Sequence, residues 1–254
     1  MSGERVNKLS GKRYLVTGAS SGIGMATARQ LANDGATVTL AGRDSVRLEA
    51  LLADLPGEGH VAEVFELQEA DATAEWLKDC ASRNGTFDGV FHAAGIELIR
   101  PVRLTKQQQI DSIFASSLYA GFGIARACAQ RTVLADGGAA LFMSSVAASS
   151  GQVGMTAYSA AKAAIEGLVR SLACELAARE VRVNALAAGA VETPMHNRIM
   201  RGSGDAALET YRSSHLLGFG TPEDVANAAV FLLGPSSRWI TGTTMYVDGG
   251  YLCR

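Results

Sequence analysis

The residues Gly18-Ala19-Ser20-Ser21-Gly22-Ile23-Gly24 decide the fold, because they join a β-prone run, Arg13–Thr17, to a helical stretch, Met25–Asp34. Glycines at 18, 22 and 24 suit a tight strand-to-helix turn that brings backbone N–H groups and a helix N-terminus against a pyrophosphate. The best-known dinucleotide fingerprint has the spacing Gly-x-Gly-x-x-Gly, which this loop does not match. The same way of binding a pyrophosphate is nevertheless open to it, because that binding uses backbone N–H groups. Taken alone, the loop could equally be a glycine-rich turn without a ligand.

Strand-like and helical segments alternate along the rest of the chain. Two long helices are predicted, from about Thr105 to Leu134 and from Ala157 to Arg179. The strand-like runs are Arg13–Thr17, Thr37–Ala41, Val61–Glu66, Gly89–His92, Ala139–Ser144, Val181–Ala187 and Thr244–Val247. This alternation predicts an α/β fold: a single Rossmann-type domain over residues 1–254, with a doubly wound parallel sheet, helices on both faces and ligands at the carboxyl ends of the strands.

A possible proton donor and acceptor lies past the middle of the chain. Tyr158 and Lys162 are four residues apart, which stacks their side chains one turn apart on a helix, and Ser145 lies thirteen residues upstream of the tyrosine. At an effective dielectric near 20, a cation about 4 Å away contributes about 4 kcal/mol, or roughly three pKa units at most. We therefore expect the tyrosine to exchange protons near neutral pH. An unrelated pair on a solvated helix face is the alternative.

The glycine-rich loop near the start of the chain, followed past the middle by Ser145 and then by Tyr158 and Lys162, resembles the motif order of the short-chain dehydrogenase/reductase family. Further matches are Ala93-Ala94-Gly95, Arg182-Val183-Asn184-Ala185 and Val247-Asp248-Gly249-Gly250, and the resemblance runs from about Leu9 to the C-terminus. It implies that Tyr158 passes a proton to a substrate carbonyl as hydride leaves the nicotinamide. Ser145 would orient that oxygen, and Lys162 would lower the tyrosine pKa and bind ribose. A substrate lid would cover about residues 192–220.

The resemblance also implies a set of cofactor contacts. They are Gly18, Ser20, Ser21, Gly22, Ile23, Gly24, Glu66, Leu67, Ala93, Ala94, Gly95, Tyr158, Lys162, Gly189, Val191 and Thr193. The choice of cofactor depends on the end of the second strand, where an acidic residue would repel a 2′-phosphate. Here Gly42 takes that place and Arg43 follows, and a guanidinium can bind a phosphate through two parallel hydrogen bonds. NADP(H) is preferred; NAD(H) stays possible, because Asp44 dilutes the positive charge and Arg43 can simply begin the next helix.

Two departures from the family pattern bear on activity. Ser117 stands where the family has a fourth catalytic residue, an asparagine that holds a water relay behind the lysine. A serine can bind a water, but it cannot combine an amide donor with a carbonyl acceptor. His92 replaces another asparagine, and we interpret it as a packed strand-end residue. These changes leave one alternative open: a catalytically weak nucleotide-binding sensor or scaffold.

The composition of the chain indicates which kinds of binding partner are not expected. The net charge of -2, without any run of Lys and Arg, gives no reason to expect nucleic acid or a membrane surface as a partner. Met1–Lys8 is polar, so we expect no secretory signal, and the four scattered cysteines indicate free thiols in a cytoplasmic protein. No histidine lies near them in sequence, so no metal site is expected. Small residues line one face of the second long helix, which favours a homodimer or homotetramer; they are Ala160, Ala164, Gly167, Ser171 and Cys174.

Overall fold

A computed structural model describes residues 8–200 and 205–253. Its seven strands are β1 (Arg13–Thr17), β2 (Thr37–Gly42), β3 (Val61–Val64), β4 (Phe87–His92), β5 (Leu134–Ser145), β6 (Arg182–Ala188) and β7 (Thr244–Val247). Its helices are α1 (Gly22–Asn33), α2 (Ser45–Asp54), α3 (Ala70–Asn84), α4 (Gln107–Phe114), α5 (Ala120–Cys128), α6 (Thr156–Leu176), α7 (Pro194–Met200), α8 (Asp205–Ser213) and α9 (Pro222–Leu233). Residues 201–204 of the predicted lid lie outside the described residues.

The strands form one parallel sheet in the order β3-β2-β1-β4-β5-β6-β7. The chain moves outward from β1 to β3 and then returns to place β4 on the other side of β1. Such a reversal opens a crevice at the carboxyl ends of the strands, where ligands of doubly wound folds bind. The predicted fold class is confirmed.

Each face of the sheet carries its own hydrophobic core. Leu15 and Val16 are neighbours in β1 and fully buried, but they belong to different cores, since successive strand residues point to opposite faces. Helices α3, α5 and α6 cover the first face, and α1, α2 and α9 cover the second. Within the described residues, no helix is both long and apolar enough to cross a membrane.

The predicted strands are found with shifted ends, whereas the prediction of one helix from Thr105 to Leu134 is wrong. The segment contains α4, a π-helical turn at Ala115–Tyr119, and α5, which ends at Cys128. Beyond it, Val133 and Leu134 are buried at the start of β5, and the Val133 carbonyl accepts a hydrogen bond of 2.9 Å from the N–H of Phe87. Packing into the sheet therefore overrides the helical pattern of these apolar residues.

Candidate functional site

A cleft of about 1060 Å³ opens at the carboxyl ends of the strands. It is lined by every residue predicted to contact the cofactor, together with Ser145. Ser117 is the one predicted site residue that does not line it; this side chain is buried behind the cleft. Among the described residues, no three His, Cys, Asp or Glu side chains form a group that could hold a metal ion.

The glycine-rich loop lies at one end of this cleft with its backbone bare. Gly18 has φ +67°, in the left-handed region, and a Cβ at Gly24 would come within 2.5 Å of the Gly18 carbonyl oxygen. The side chain of Ser21, the N-cap of α1, makes no capping hydrogen bond, so the first N–H groups of the helix face the cleft without a side-chain acceptor. This cradle fits a pyrophosphate, whose oxygens would accept from those groups.

Four charged side chains surround the cleft beyond the end of β2. Arg43 Nη1 lies 3.2 Å from Glu66 Oε1, and Arg47 Nε lies 3.1 Å from Asp44 Oδ2. Asp44 also caps α2, because its carboxylate accepts the N–H of Arg47 at 3.0 Å. Sequence reasoning overlooked Arg47, although its position three residues after an N-cap aspartate marks it as part of the first helical turn. Two guanidinium groups therefore border this end of the cleft.

Tyr158, Lys162 and Ser145 meet at the centre of the cleft. The Lys162 ammonium donates to the carbonyl of Met143 at 3.0 Å and lies 5.7 Å from the centroid of the Tyr158 ring. Burial raises the pKa of Tyr158 to about 12, against the lowering effect of its hydrogen bond with Ser145, and the charge of Glu97 raises that pKa further. Burial also lowers the pKa of Lys162 to about 8.

The raised pKa of Tyr158 is opposite in direction to the expected effect of Lys162, and the lowering of that pKa by Lys162 stays a prediction. The Lys162 ammonium directs an N–H at the carbonyl of Met143, and desolvation of the phenol is the largest cause of the raised pKa of Tyr158. A phenol with a pKa of about 12 keeps its proton at neutral pH.

His92 and Ser117 are tied together behind the lysine. The carbonyl of Ser117 can only accept, so His92 donates to it from Nε2 at 3.3 Å, while His92 Nδ1 accepts from the Thr17 hydroxyl at 3.0 Å. Burial lowers the pKa of His92 to about 4, so the ring is neutral. His92 is thus packed and hydrogen-bonded, as predicted, and it holds the π-helical turn against β1 and β4.

The hydroxyl of Ser117 is buried and has no hydrogen-bond partner among the described residues. Gly95 separates it from the lysine: a Cβ there would be 3.4 Å from Lys162 Nζ and 3.8 Å from Ser117 Oγ. The absence of a side chain at Gly95 therefore keeps these two polar groups on either side of one small space. π-Helical turns inside α-helices are frequently found at functional sites.

His215 supports the far wall of the cleft, a role that sequence reasoning missed. Its Nδ1 donates to the carbonyl of Tyr211 at 3.1 Å, which leaves Nε2 to accept the N–H of Ala190 at 3.1 Å. Ala190 lies between Gly189 and Val191, two of the predicted cofactor contacts. A side chain two residues past the end of α8 thus fixes the backbone of the loop after β6. Nothing local marks this histidine, because its partner is 25 residues away.

Glu97 is a second residue that sequence reasoning missed. It lies on the loop after β4 and lines the same cleft as Tyr158. Its side chain is 14% exposed, and its Oε1 lies 3.8 Å from Nη2 of Arg198 on α7. Burial raises the pKa of this carboxyl, against the lowering effect of Arg198. The cleft thus contains a half-buried acid that takes no part in the predicted constellation.

Comparison with known proteins gives matches over nearly the whole chain. The family model described as enoyl-(acyl carrier protein) reductase matches residues 18–252. The 3-oxoacyl-[acyl-carrier-protein] reductase FabG of Thermotoga maritima is 33% identical, covering 96% of this chain and 98% of the relative. A short-chain type dehydrogenase/reductase from Mycobacterium ulcerans superposes with a TM-score of 0.90 at 30% identity, covering 97% of this chain and 92% of that one. A blue fluorescent protein from a metagenomic library was solved in complex with NADPH. It superposes with a TM-score of 0.86 at 29% identity, covering 96% of this chain and 99% of that one.

Proposed function

The chain belongs to the short-chain dehydrogenase/reductase family, and on that premise we propose that it is an NADP(H)-dependent oxidoreductase. It interconverts a ketone or aldehyde carbonyl and an alcohol by hydride transfer. The observation that carries the proposal is the convergence of Ser145, Tyr158 and Lys162 in one cleft with a bare glycine-rich loop. A nucleotide-binding sensor would not need a half-buried proton donor at that place.

The proton chemistry is assigned to this chain's own side chains. When bound, NADPH supplies the hydride, and the protein positions the reacting carbon and handles the proton. Tyr158 keeps its proton at neutral pH, so it donates to the developing alkoxide, and Ser145 hydrogen-bonds the same oxygen and orients it. Lys162 holds a positive charge beside them and binds the nicotinamide ribose.

The other residues predicted to contact the cofactor also line the cleft. The loop from Gly18 to Gly24 holds the pyrophosphate, and Val191 and Thr193 hold the nicotinamide side. Leu67 and Glu66 surround the adenine. Arg43 leaves Glu66, its partner at 3.2 Å, to bind the 2′-phosphate, since both side chains are more than half exposed and a surface ion pair of this kind is weak. The NADPH-bound relative supports this choice of cofactor.

We assign Ser117 to the proton path behind Lys162. Its buried hydroxyl has no partner, and Gly95 leaves space between it and the ammonium. A small polar molecule there would satisfy both groups, which is the place that the family gives to a relay water. Ser117 supplies a single hydroxyl where an asparagine amide supplies a donor and an acceptor, so the path depends more on the space than on the side chain.

Titration of the purified protein with NADPH and NADH, followed by nicotinamide fluorescence, tests the proposal together with a panel of ketones, β-ketoesters and β-ketoacyl thioesters. We expect tighter binding of NADPH and oxidation of NADPH by at least one carbonyl compound. Tighter binding of NADH would overturn the role of Arg43 and leave the catalytic set standing. Binding without turnover of any compound would favour the sensor instead.

A further inference from the structure

Glu97 carries an orphaned polar atom in the wall of the cleft. Its Oε2 is buried and has no hydrogen-bond partner among the described residues, and its Oε1 lies 3.8 Å from Nη2 of Arg198. The loop that bears it is fixed to the segment before α6, because the N–H of Arg100 donates to the carbonyl of Gly154 at 2.7 Å. This hydrogen bond lies three residues after Glu97 and ties the loop to one wall of the cleft.

An unpaired carboxyl oxygen in such a place is costly to the fold. Leaving a buried polar group without its partner costs about 1–3 kcal/mol, and more for a charged one. The raised pKa of Glu97 expresses the same cost, because burial disfavours the carboxylate. Neither Tyr158 nor Ser145 uses this oxygen, and the hydride step does not require it. A ligand group that donates a hydrogen bond to it would recover the cost.

The charges around Glu97 indicate which donor fits. An anionic group beside it would be repelled by its carboxylate, and an ammonium group would meet the guanidinium of Arg198 3.8 Å from Oε1. Asp111 also lines the cleft, but its carboxylate already accepts the amide of Gln107 at 2.7 Å. A neutral donor on the substrate satisfies Glu97 without a second charge, and the commonest such group on a small carbonyl compound is a hydroxyl.

We propose that Glu97 is a specificity-determining residue that accepts a hydrogen bond from a hydroxyl group on the substrate, so that this cleft selects hydroxylated carbonyl compounds over their deoxy analogues. This inference rests on the proposed function, because it concerns the substrate of the same cleft. Sites built to hydrogen-bond a substrate hydroxyl discriminate strongly against the analogue that lacks it, since their polar group is then left unpaired. The lid arginine, Arg198, becomes the second partner of the same carboxyl.

Three ketones with one carbon skeleton test this selectivity: 1-hydroxy-2-butanone, 4-hydroxy-2-butanone and 2-butanone. With NADPH, we expect at least one hydroxyketone to exceed 2-butanone about tenfold or more in kcat/KM. In Glu97→Leu the ratio should fall to within about threefold, and Glu97→Gln, which keeps an acceptor oxygen, should lie between. A ratio near one in the wild-type protein, or an unchanged ratio in Glu97→Leu, overturns the inference.

Glu192→Gln is the matched control. Glu192 also pairs with a lid arginine, since its Oε1 lies 3.3 Å from Nη2 of Arg212, but its side chain is 51% exposed. This variant removes a carboxylate–arginine contact of the lid outside the cleft, and we expect the wild-type preference for the hydroxyketone. Loss of the preference in Glu192→Gln as well would assign it to the lid charges, and the inference about Glu97 would fall.

A binding measurement separates failure of the inference from failure of the proposed function. Calorimetry of 1,2-butanediol, 1,3-butanediol and 2-butanol with the NADP⁺-loaded protein needs no turnover. Tighter binding of a diol that is lost in Glu97→Leu supports the inference even if no ketone is reduced, in which case the oxidoreductase proposal fails. Reduction of all three ketones at similar rates, with equal binding of the diols and 2-butanol, keeps the oxidoreductase and overturns the role of Glu97.

Discussion

Lys162 is buried and Tyr158 is half-buried, and desolvation shifts the pKa of each toward its uncharged form. The two shifts have different consequences for catalysis. A phenol with a pKa of about 12 keeps its proton throughout the physiological range, which suits the reduction of a carbonyl. An ammonium with a pKa of about 8 loses its charge just above that range. The upper pH limit of the reductive reaction is therefore expected to come from the lysine.

A pH profile of reductive kcat/KM checks this assignment. Lys162 is charged below its pKa of about 8 and neutral above it, so the rate should be level at lower pH and fall as pH rises through about 8. The limiting slope for loss of one proton is about tenfold per pH unit. Lys162→Arg keeps its charge at every pH used, so whatever rate it retains should not show this fall. A level wild-type profile up to pH 10 would contradict the assignment.

The proposed contact between Arg43 and the 2′-phosphate of NADPH can be tested separately by substitution. Arg43→Ala removes one charge-assisted phosphate contact, so the Kd for NADPH should rise about tenfold while that for NADH changes little. Fluorescence titration at fixed ionic strength measures both. Arg29→Ala is the control, since Arg29 pairs with Asp54 and does not line the cleft. An unchanged ratio of the two Kd values in Arg43→Ala would show that the 2′-phosphate is not bound there.

Among individual residues, sequence reasoning found those that belong to spaced motifs and missed those whose role depends on a contact with a distant part of the chain. Gly18, Tyr158 and Lys162 stand in fixed local patterns, and the structure brings them into one cleft. Glu97 and His215 have no local pattern, because their partners, Arg198 and Ala190, approach them only when the segment after β6 packs against the strand ends. The pKa of Tyr158 was missed for a related reason, since burial depends on the whole fold.

At the scale of elements, the segment before β5 is the main surprise. A continuous helix would satisfy the local pattern, but a π-helical turn at Ala115–Tyr119 interrupts it, next to the carbonyl that His92 contacts. Helical propensity cannot predict this, because the extra residue in the turn is stabilised by a side chain from β4. The strands were predicted better, because buried parallel strands read as short apolar runs.

The hydrogen bond between His215 and the N–H of Ala190 connects the segment after α8 to the loop after β6. His215→Ala leaves the N–H of Ala190 without its acceptor, so the free energy of unfolding should fall by about 1–3 kcal/mol. Because Gly189 and Val191 flank that N–H, the KM for NADPH should rise as well. Urea denaturation and steady-state kinetics measure the two effects.

His60→Ala is the matched control for that variant. His60 accepts the N–H of Val38 at 3.0 Å, the same kind of bond, and His60 does not line the cleft. We expect it to lower stability while leaving the KM for NADPH unchanged. If His215→Ala also lowered only stability, the bond would be structural and would not position the cofactor loop.

For the whole molecule, the parallel sheet with helices on both faces follows from the alternation of strands and helices in the sequence, whereas the strand order is known only from the structure. The single domain over residues 1–254 and its lid stay predictions. So does assembly. The apolar face of α6 is buried, through Ile165, Val169 and Leu172, whereas most of its small-residue face is exposed or half-buried.

We expect this exposed face to pair two copies of the chain, as a homodimer or within a homotetramer. Tyr119 and Phe122, on the preceding helical segment, are each 47% exposed and add apolar area. Sedimentation velocity at micromolar concentration should show a species of at least two chains, and Ala164→Arg should shift it toward monomer by placing a charge on the small-residue face. A wild-type protein that sediments only as a monomer would contradict the expectation.

If Tyr158 donates the proton in a reaction that consumes bound NADPH, Tyr158→Phe should abolish most of that reaction and spare the binding of the cofactor. The variant removes one hydroxyl from a half-buried ring and keeps its packing. We predict that NADPH binds within about threefold of the wild-type affinity while kcat falls by about 10²–10⁴-fold, the usual contribution of a general acid. A variant that keeps most of its rate, or one that loses NADPH binding together with its rate, would contradict the account.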